Sequence, residues 1–348
     1  MRHHVWGCVV RVFLTCLAAI VLSMVSVAGS AAAPAQSGPN LPPGFRANVY
    51  VNGLSNPTAM SFGPDKRLYV SQLDGTILAI GNRRVVTVAS GFNTPLGIGW
   101  NRGLLYVSST GKVTTLRPDR TYAHFARRDI ITGIPTGRHQ NDGMVFSHGW
   151  MYLGVGSTCD ACVETDRRSA TIMRFYLDGS HAQVYARGMR NPYGLALQRG
   201  SGALYVTDNG RDDHDDQVPD ELNRVVQGGN YGFPDCWGRG GGTHCGGTIA
   251  PVALLPPHSS ADGIAFYSGR TFPSRYRGDA FVAEYGATVG ARATGHVVQD
   301  AHFAGGRVTV TDFATGLSHP LAVTPARDGS LLIADWGTGT IWHVQYGR

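Results

Sequence analysis

The sequence predicts an all-β chain folded as a six-bladed β-propeller, and three observations predict it. One phrase recurs six times along the chain. The strands inside that phrase are short and apolar. No long stretch carries the 3.6-residue apolar period of a helix, while the 47 glycines fall mostly at turns, which leaves strands and tight connections as the building material.

Each phrase opens with a polar residue followed by Pro or Gly, at Asn56-Pro57, Thr94-Pro95, Asp142-Gly143, Asn191-Pro192, Asp262-Gly263 and His319-Pro320. A first strand follows. After a turn come the second strands, Leu68-Tyr69-Val70, Leu105-Tyr106-Val107, Met151-Tyr152-Leu153, Leu204-Tyr205-Val206, Ala280-Phe281-Val282 and Leu331-Leu332-Ile333. Third strands begin at Ile77, Val113, Ile172, Leu222, Val297 and Ile341. Each copy is a small antiparallel sheet whose apolar faces can be buried only against its neighbours, and radial stacking buries all six. A β-sandwich would share the glycines and strands but would not repeat a phrase six times. The spacing grows from 38 residues between Pro57 and Pro95 to 71 between Pro192 and Gly263, and the excess reads as insertion. The largest insertion, from about Asp208 to His258, holds an acidic stretch and then a Gly-rich loop with two cysteines.

Ahead of the repeats, a basic start with Arg2 and Arg11, an apolar run from Val12 to Val27 and small residues from Ala28 to Ala33 form the pattern of a secretory signal. Residues 1–32 are therefore expected to be a cleaved signal peptide, with cleavage after Ser30 or Ala32, and residues 33–348 a single propeller domain, secreted or periplasmic. No second long apolar run follows, so no integral membrane segment is expected in the mature chain. The exported chain keeps Cys159, Cys162, Cys236 and Cys245, an even number that reads as disulfides in an oxidising compartment. Local pairs, Cys159 with Cys162 and Cys236 with Cys245, are expected among the three connectivities that four cysteines allow; a zinc site is the rival reading. The formal charge of +6 becomes +4 without Arg2 and Arg11, and no basic run points to nucleic acid.

Equivalent stations of a propeller lie at one height and radius, so they form a ring about the axis. The residues before the first strand are bland in the first two copies. They become Arg138-His139-Gln140-Asn141-Asp142, then Arg190-Asn191, then His258 to Asp262, and finally His319. Such a ring is a candidate active site, with His139 able to act as a general base and Arg190 able to hold a developing anion. Asn56 and Asn141 are expected to act as turn caps instead. The stretch from Asp208 to Glu221 offers oxygen ligands and no thiolate, which favours Ca2+ over Mg2+.

Arg190 to Ala196, Thr207 to Gly210, Asp220 to Asn223 and Gly228 to Pro234 together resemble the signature of the soluble quinoprotein sugar dehydrogenases, in order and spacing over about 45 residues. His139 in its Gln-Asn-Asp-Gly setting, the Cys159 to Cys162 segment and Asp262-Gly263 extend the resemblance through most of the mature chain, nearest to the sorbosone dehydrogenase-like branch. The resemblance implies pyrroloquinoline quinone (PQQ) with Ca2+ at the top of the channel, His139 as the base that takes a proton from a sugar hydroxyl, and Arg190 polarising the quinone carbonyl. It also implies Asn191, Asp142, Asn209 and His319 around the cofactor. The carbonyls of Gly210 and Arg211 would be ligands of the cofactor-linked Ca2+, and Glu221 and the Tyr231 carbonyl ligands of a structural Ca2+. The chain departs from the glucose dehydrogenases where they hold the quinone carboxylates with a Lys and two Arg: it has Glu284 to Ala287 and Leu317 to His319 there, leaving Arg292 or His319 as substitutes. The resulting expectation is a sugar dehydrogenase that passes electrons to an external acceptor. The alternatives are a Ca2+-bound propeller that binds glycan or protein without redox chemistry, and a lactone hydrolase.

Overall fold

In a computed structural model, residues 38–82, 84–287 and 294–347 are described, and they form six four-stranded antiparallel sheets. The expected signal peptide, residues 1–32, lies outside the described residues. The innermost strands are Pro57–Phe62, Gly97–Asn101, Asn141–Ser147, Pro192–Leu197, Ala261–Phe266 and Pro320–Pro325. Each contacts the next, and the sixth contacts the first, so the six blades close into a propeller.

The second strands, including Leu68–Gln72, Leu204–Asp208, Ala280–Glu284 and Leu331–Asp335, are buried along their whole length. They have no solvent face because each blade is covered on both sides. The core is accordingly divided into six apolar layers, one per interface between neighbouring blades. Tyr69 and Ile77 of the first blade meet Leu105 and Val107 of the second, for example, and Phe281 of the fifth meets Val323 and Trp342 of the sixth. Each buried side chain of this size contributes about 1.5–3 kcal/mol.

The sixth blade is completed from the other end of the chain. Phe45–Val51 pairs antiparallel with Thr340–Tyr346 as its outermost strand, joining Phe45 to Tyr346. The expected disulfides are present: Cys159–Cys162 closes a loop after the second strand of the third blade, and Cys236–Cys245 closes one in the large insertion. That insertion adds only a two-stranded ribbon, Cys236–Trp237 with Gly241–Gly242, and a 3-10 turn at Asp215–Gln217.

Near the axis the inner strands approach so closely that only glycine fits. A Cβ on Gly97 would lie 2.4 Å from the Asp142 carbonyl oxygen, on Gly143 2.5 Å from that of Tyr193, and on Gly194 2.1 Å from that of Asp262. These glycines set the bore of the channel below the ring of polar stations.

Candidate active site

The stations are held by one repeated device, in which a polar side chain at the end of a blade's second strand caps the loop leading into its inner strand. Asp208 accepts hydrogen bonds from the Arg190 and Asn191 backbone N–H groups (3.2 and 2.7 Å). Asp335 does the same for Ser318 and His319 (3.0 and 2.8 Å), and Gln72 accepts from Ser55 N (2.7 Å). In the fifth blade Glu284 holds the equivalent place, opposite Ala261, but Asp220 has taken over its task. Asp220 accepts from Gly210 N (2.8 Å), Ser259 Oγ (3.0 Å) and Ala261 N (3.1 Å). Neither Glu284 oxygen has a close hydrogen-bond partner, only the Gln299 side chain lying near enough to favour its charge, and burial, reinforced by Asp220, pushes its carboxyl well above the usual range.

A cavity of about 340 Å3 opens at the third and fourth blades, lined by His139, Gln140, Asp142, Asn191 and Tyr193 among others. Gly156 makes room for it, since a Cβ there would sit 2.4 Å from the His139 Cβ and 3.1 Å from Asn191 Oδ1. The backbone of His139 is fixed by its N–H to the Ser157 carbonyl (3.0 Å). Four residues that line the cavity each carry a polar atom that is itself buried with no hydrogen-bond partner among the described residues: His139 Nε2, Asn191 Oδ1, Asp142 Oδ2 and the Tyr193 hydroxyl. Burial, then the nearby Arg190 and Arg138, push the His139 imidazole down to about 3, so it is neutral at ordinary pH. Burial holds the Asp142 carboxyl well above its usual range, which favours its neutral form.

Behind this front, Asn191 Nδ2 donates to Asn209 Oδ1 (3.2 Å), and Asn209 Nδ2 donates to the Ala261 carbonyl (2.7 Å). Asn209 thus orients Asn191 from the second rank. Asn141 is a structural clasp, as its turn-cap reading implied: it is fully buried and donates to Ser108 Oγ and the Ser109 and Lys112 carbonyls while accepting from Gly111 N.

Arg190 is buried in a network that the sequence did not reveal. Its Nη2 donates to Asp160 Oδ1 (2.6 Å) and Asp212 Oδ2 (2.9 Å), its Nε to Asp160, and its Nη1 to the Asn209 carbonyl (3.3 Å). Asp160 lies inside the Cys159–Cys162 loop and Asp212 in the acidic insertion, where Arg138 also pairs with it. Arg190 therefore ties the disulfide loop to the insertion. The only hint in the sequence was an acid between two closely spaced cysteines.

The four expected metal-ligating residues, Gly210 and Arg211 of one expected site and Glu221 and Tyr231 of the other, line one small cavity of about 20 Å3 together with Asp208 and Arg190. That is room for a single ion or water. Glu221 accepts from Asn223 Nδ2 (2.9 Å) and Gly238 N (2.6 Å), and burial pushes it to about 7. The donor set is oxygen throughout, which suits a hard divalent cation. His319 is across the ring, its Nδ1 at 3.0 Å from the Tyr285 carbonyl and its ring stacked on Tyr285, with His296 and Trp336 beside it. Arg292 lies outside the described residues.

The family profile described as glucose / sorbosone dehydrogenase matches residues 127–299, the span that carries His139, the Arg190 network and the small cavity beside Glu221. Over that span, just under half of its length, the chain is similar to the glucose/sorbosone dehydrogenase family. The aldose sugar dehydrogenase of Escherichia coli strain K12 is 25% identical over 166 residues, 40% of this chain and 43% of that protein. Among solved structures, the PQQ-bound aldose sugar dehydrogenase of Streptomyces coelicolor shares the fold with a TM-score of 0.69 at 22% identity, over 88% of this chain and 99% of the other. A calcium structure of a carbohydrate-active enzyme of Trichoderma reesei superposes with a TM-score of 0.77 at 17% identity, over 89% and 97% of the two chains. These similarities support an oxidoreductase of the sugar-dehydrogenase type.

Proposed function

We propose that the protein is an exported quinoprotein that oxidises a sugar, or a related polyol-type alcohol or aldehyde, with bound PQQ and Ca2+, and passes the electrons to an external acceptor. The observation that carries this reading is that four residues lining one cavity, His139, Asn191, Asp142 and Tyr193, each hold a buried polar atom without a partner. Buried polar groups are ordinarily hydrogen-bonded, so four such residues around one space fit a polar ligand that supplies the missing bonds.

When bound, the quinone would supply the carbonyl carbon that receives hydride from the sugar. The chain's own groups do the rest. Neutral His139 takes the hydroxyl proton at Nε2, and its low basicity keeps it ready across ordinary pH. Asn191 Oδ1 accepts a hydrogen bond, and Asp142 in its neutral form donates one. Arg190 contributes a fixed positive charge held in place by Asp160 and Asp212. The carbonyls of Gly210 and Arg211 would be ligands of the cofactor-linked Ca2+, and the Glu221 carboxylate and Tyr231 carbonyl ligands of a structural Ca2+. His319 would meet the cofactor from the far side, where this chain has imidazole and aromatic groups in the place of a Lys and two Arg. Residues 1–32 would be removed on export, leaving 33–348 as the working domain. Described residues include no helix long and apolar enough to cross a membrane.

The test is to add PQQ and Ca2+ to the purified protein, follow cofactor binding by calorimetry, and assay dye reduction with a panel of aldoses. Binding with sugar-dependent reduction supports the proposal. Absence of binding at micromolar quinone would overturn it.

A further inference from the structure

The net positive charge of the chain is greatest on the second blade. Residues 94–133 carry six basic side chains, Arg102, Lys112, Arg117, Arg120, Arg127 and Arg128, against the two acids Asp119 and Asp129, in a chain whose whole formal excess is +6. Strand alternation then sorts them by face. In the second blade Tyr106, Thr115 and Arg128 stand opposite one another across three strands, and Arg117, two residues beyond Thr115, stands opposite Ala126. Arg117 and Arg128 thus share the face that looks toward the third blade, where the Tyr106 hydroxyl donates to the Leu177 carbonyl (3.0 Å). Arg102, in the hairpin before Leu104, lines the same groove.

This groove encloses about 350 Å3 between blades two and three, with apolar surface from Leu104, Ile130 and Leu177. Its acids have hydrogen-bond partners, though Asp178, which lines the groove, keeps its negative charge. Asp129 pairs with Lys112 (3.2 Å) and accepts from Thr114 Oγ1 (2.6 Å). Asp119 closes its own turn on Thr121 and Ala123, and Asp178 at the groove edge accepts from Ser180 N and Oγ (2.9 and 2.6 Å). The guanidinium groups of Arg102, Arg117 and Arg128 make no hydrogen bond or ion pair with the described residues. Arg67, Arg168 and Arg211, by contrast, each hold a carboxylate two residues away in sequence. Three guanidinium groups outnumber the single Asp178 carboxylate around this hollow, and an anion between them turns their mutual repulsion into attraction. Guanidinium forks match carboxylate and phosphate geometry, while the apolar surface suits the face of a ring.

We propose that the groove between the second and third blades binds a sugar-sized organic anion bearing two or more carboxylate or phosphate groups. It is separate from the proposed active site. Leu96 borders the site cavity, and the inner strand Gly97–Asn101 runs from there to the hairpin that holds Arg102 at the opposite end of the blade.

Calorimetric titration of the full protein at low salt tests this, with trigalacturonate as the carboxylate probe, glucose 1,6-bisphosphate as the phosphate probe, and maltotriose and inorganic phosphate as controls. Binding of either anionic sugar, with at least about tenfold weaker affinity in R117Q/R128Q, is the expected result, and the tighter probe identifies the acid group. R127Q should bind as the wild type does, because the Arg127 guanidinium turns the other way, over the Phe92 ring and onto the Ser90 carbonyl. R117K/R128K, which keeps the charge and loses the fork, should fall between. The proposal is overturned if neither anionic sugar binds, if inorganic phosphate binds as tightly as they do, or if R117Q/R128Q binds like the wild type.

Discussion

His139 concentrates the chemistry of the proposed reaction in one atom, the unpartnered Nε2. Its imidazole is pushed down to about 3 by burial and by Arg190 and Arg138, so it protonates only in strong acid. In the PQQ-loaded protein, kcat/KM should show no acid limb near pH 6.5 from this group and should stay flat down to about pH 4. An imidazole-like apparent pKa of about 6.5 in the pH-rate profile would contradict that environment. H139Q should lower kcat by about 10²- to 10⁴-fold while leaving quinone binding measurable. The sequence made His139, Asn191 and Asp142 visible because the repeat places them at equivalent stations of one ring. It did not reveal Asp160 and Asp212 as partners of Arg190, because they are 30 and 22 residues distant and meet it only once the disulfide loop and the insertion fold inward.

The repeat phrase marks the three inner strands of each blade well because burial on both faces gives them an almost unbroken apolar composition. The outermost strands lack that signature. Phe45–Val51 is mostly exposed, and its partner lies almost the whole chain away, so nothing local announces it. The inner strands depend on glycine in a way that can be measured. G194A would place a Cβ 2.1 Å from the Asp262 carbonyl oxygen, part of a backbone that cannot swing aside. We expect it to destabilise the fold by about 1–3 kcal/mol in denaturant unfolding. G246A, in open space on the insertion, should be close to neutral. Equal stability of the two variants would mean that the inner strands can separate at little cost.

Across the whole molecule, the fifth blade carries a carboxyl that folding keeps protonated. Glu284 is buried without a close hydrogen-bond partner, and its folded value lies well above its ordinary 4.5. The folded state therefore keeps a proton that the unfolded chain releases, and stability falls as pH rises above about 4.5. E284Q removes this dependence. Its melting temperature should exceed that of the wild type by a margin that grows from pH 5 to pH 8, and a margin independent of pH would show that Glu284 ionises freely in the fold.

The outermost strand of the sixth blade also governs the order in which the molecule can be completed. Phe45–Val51 is among the first described segments to leave the ribosome, yet its partner Thr340–Tyr346 is among the last. Five blades can assemble from neighbouring sequence while that first strand waits, solvated and unpaired. Ring closure is thus a late event that joins distant ends of the chain, and a slow one because so much intervening chain must be in place first. A nascent chain that ends before residue 340 has five finished blades and an open seam.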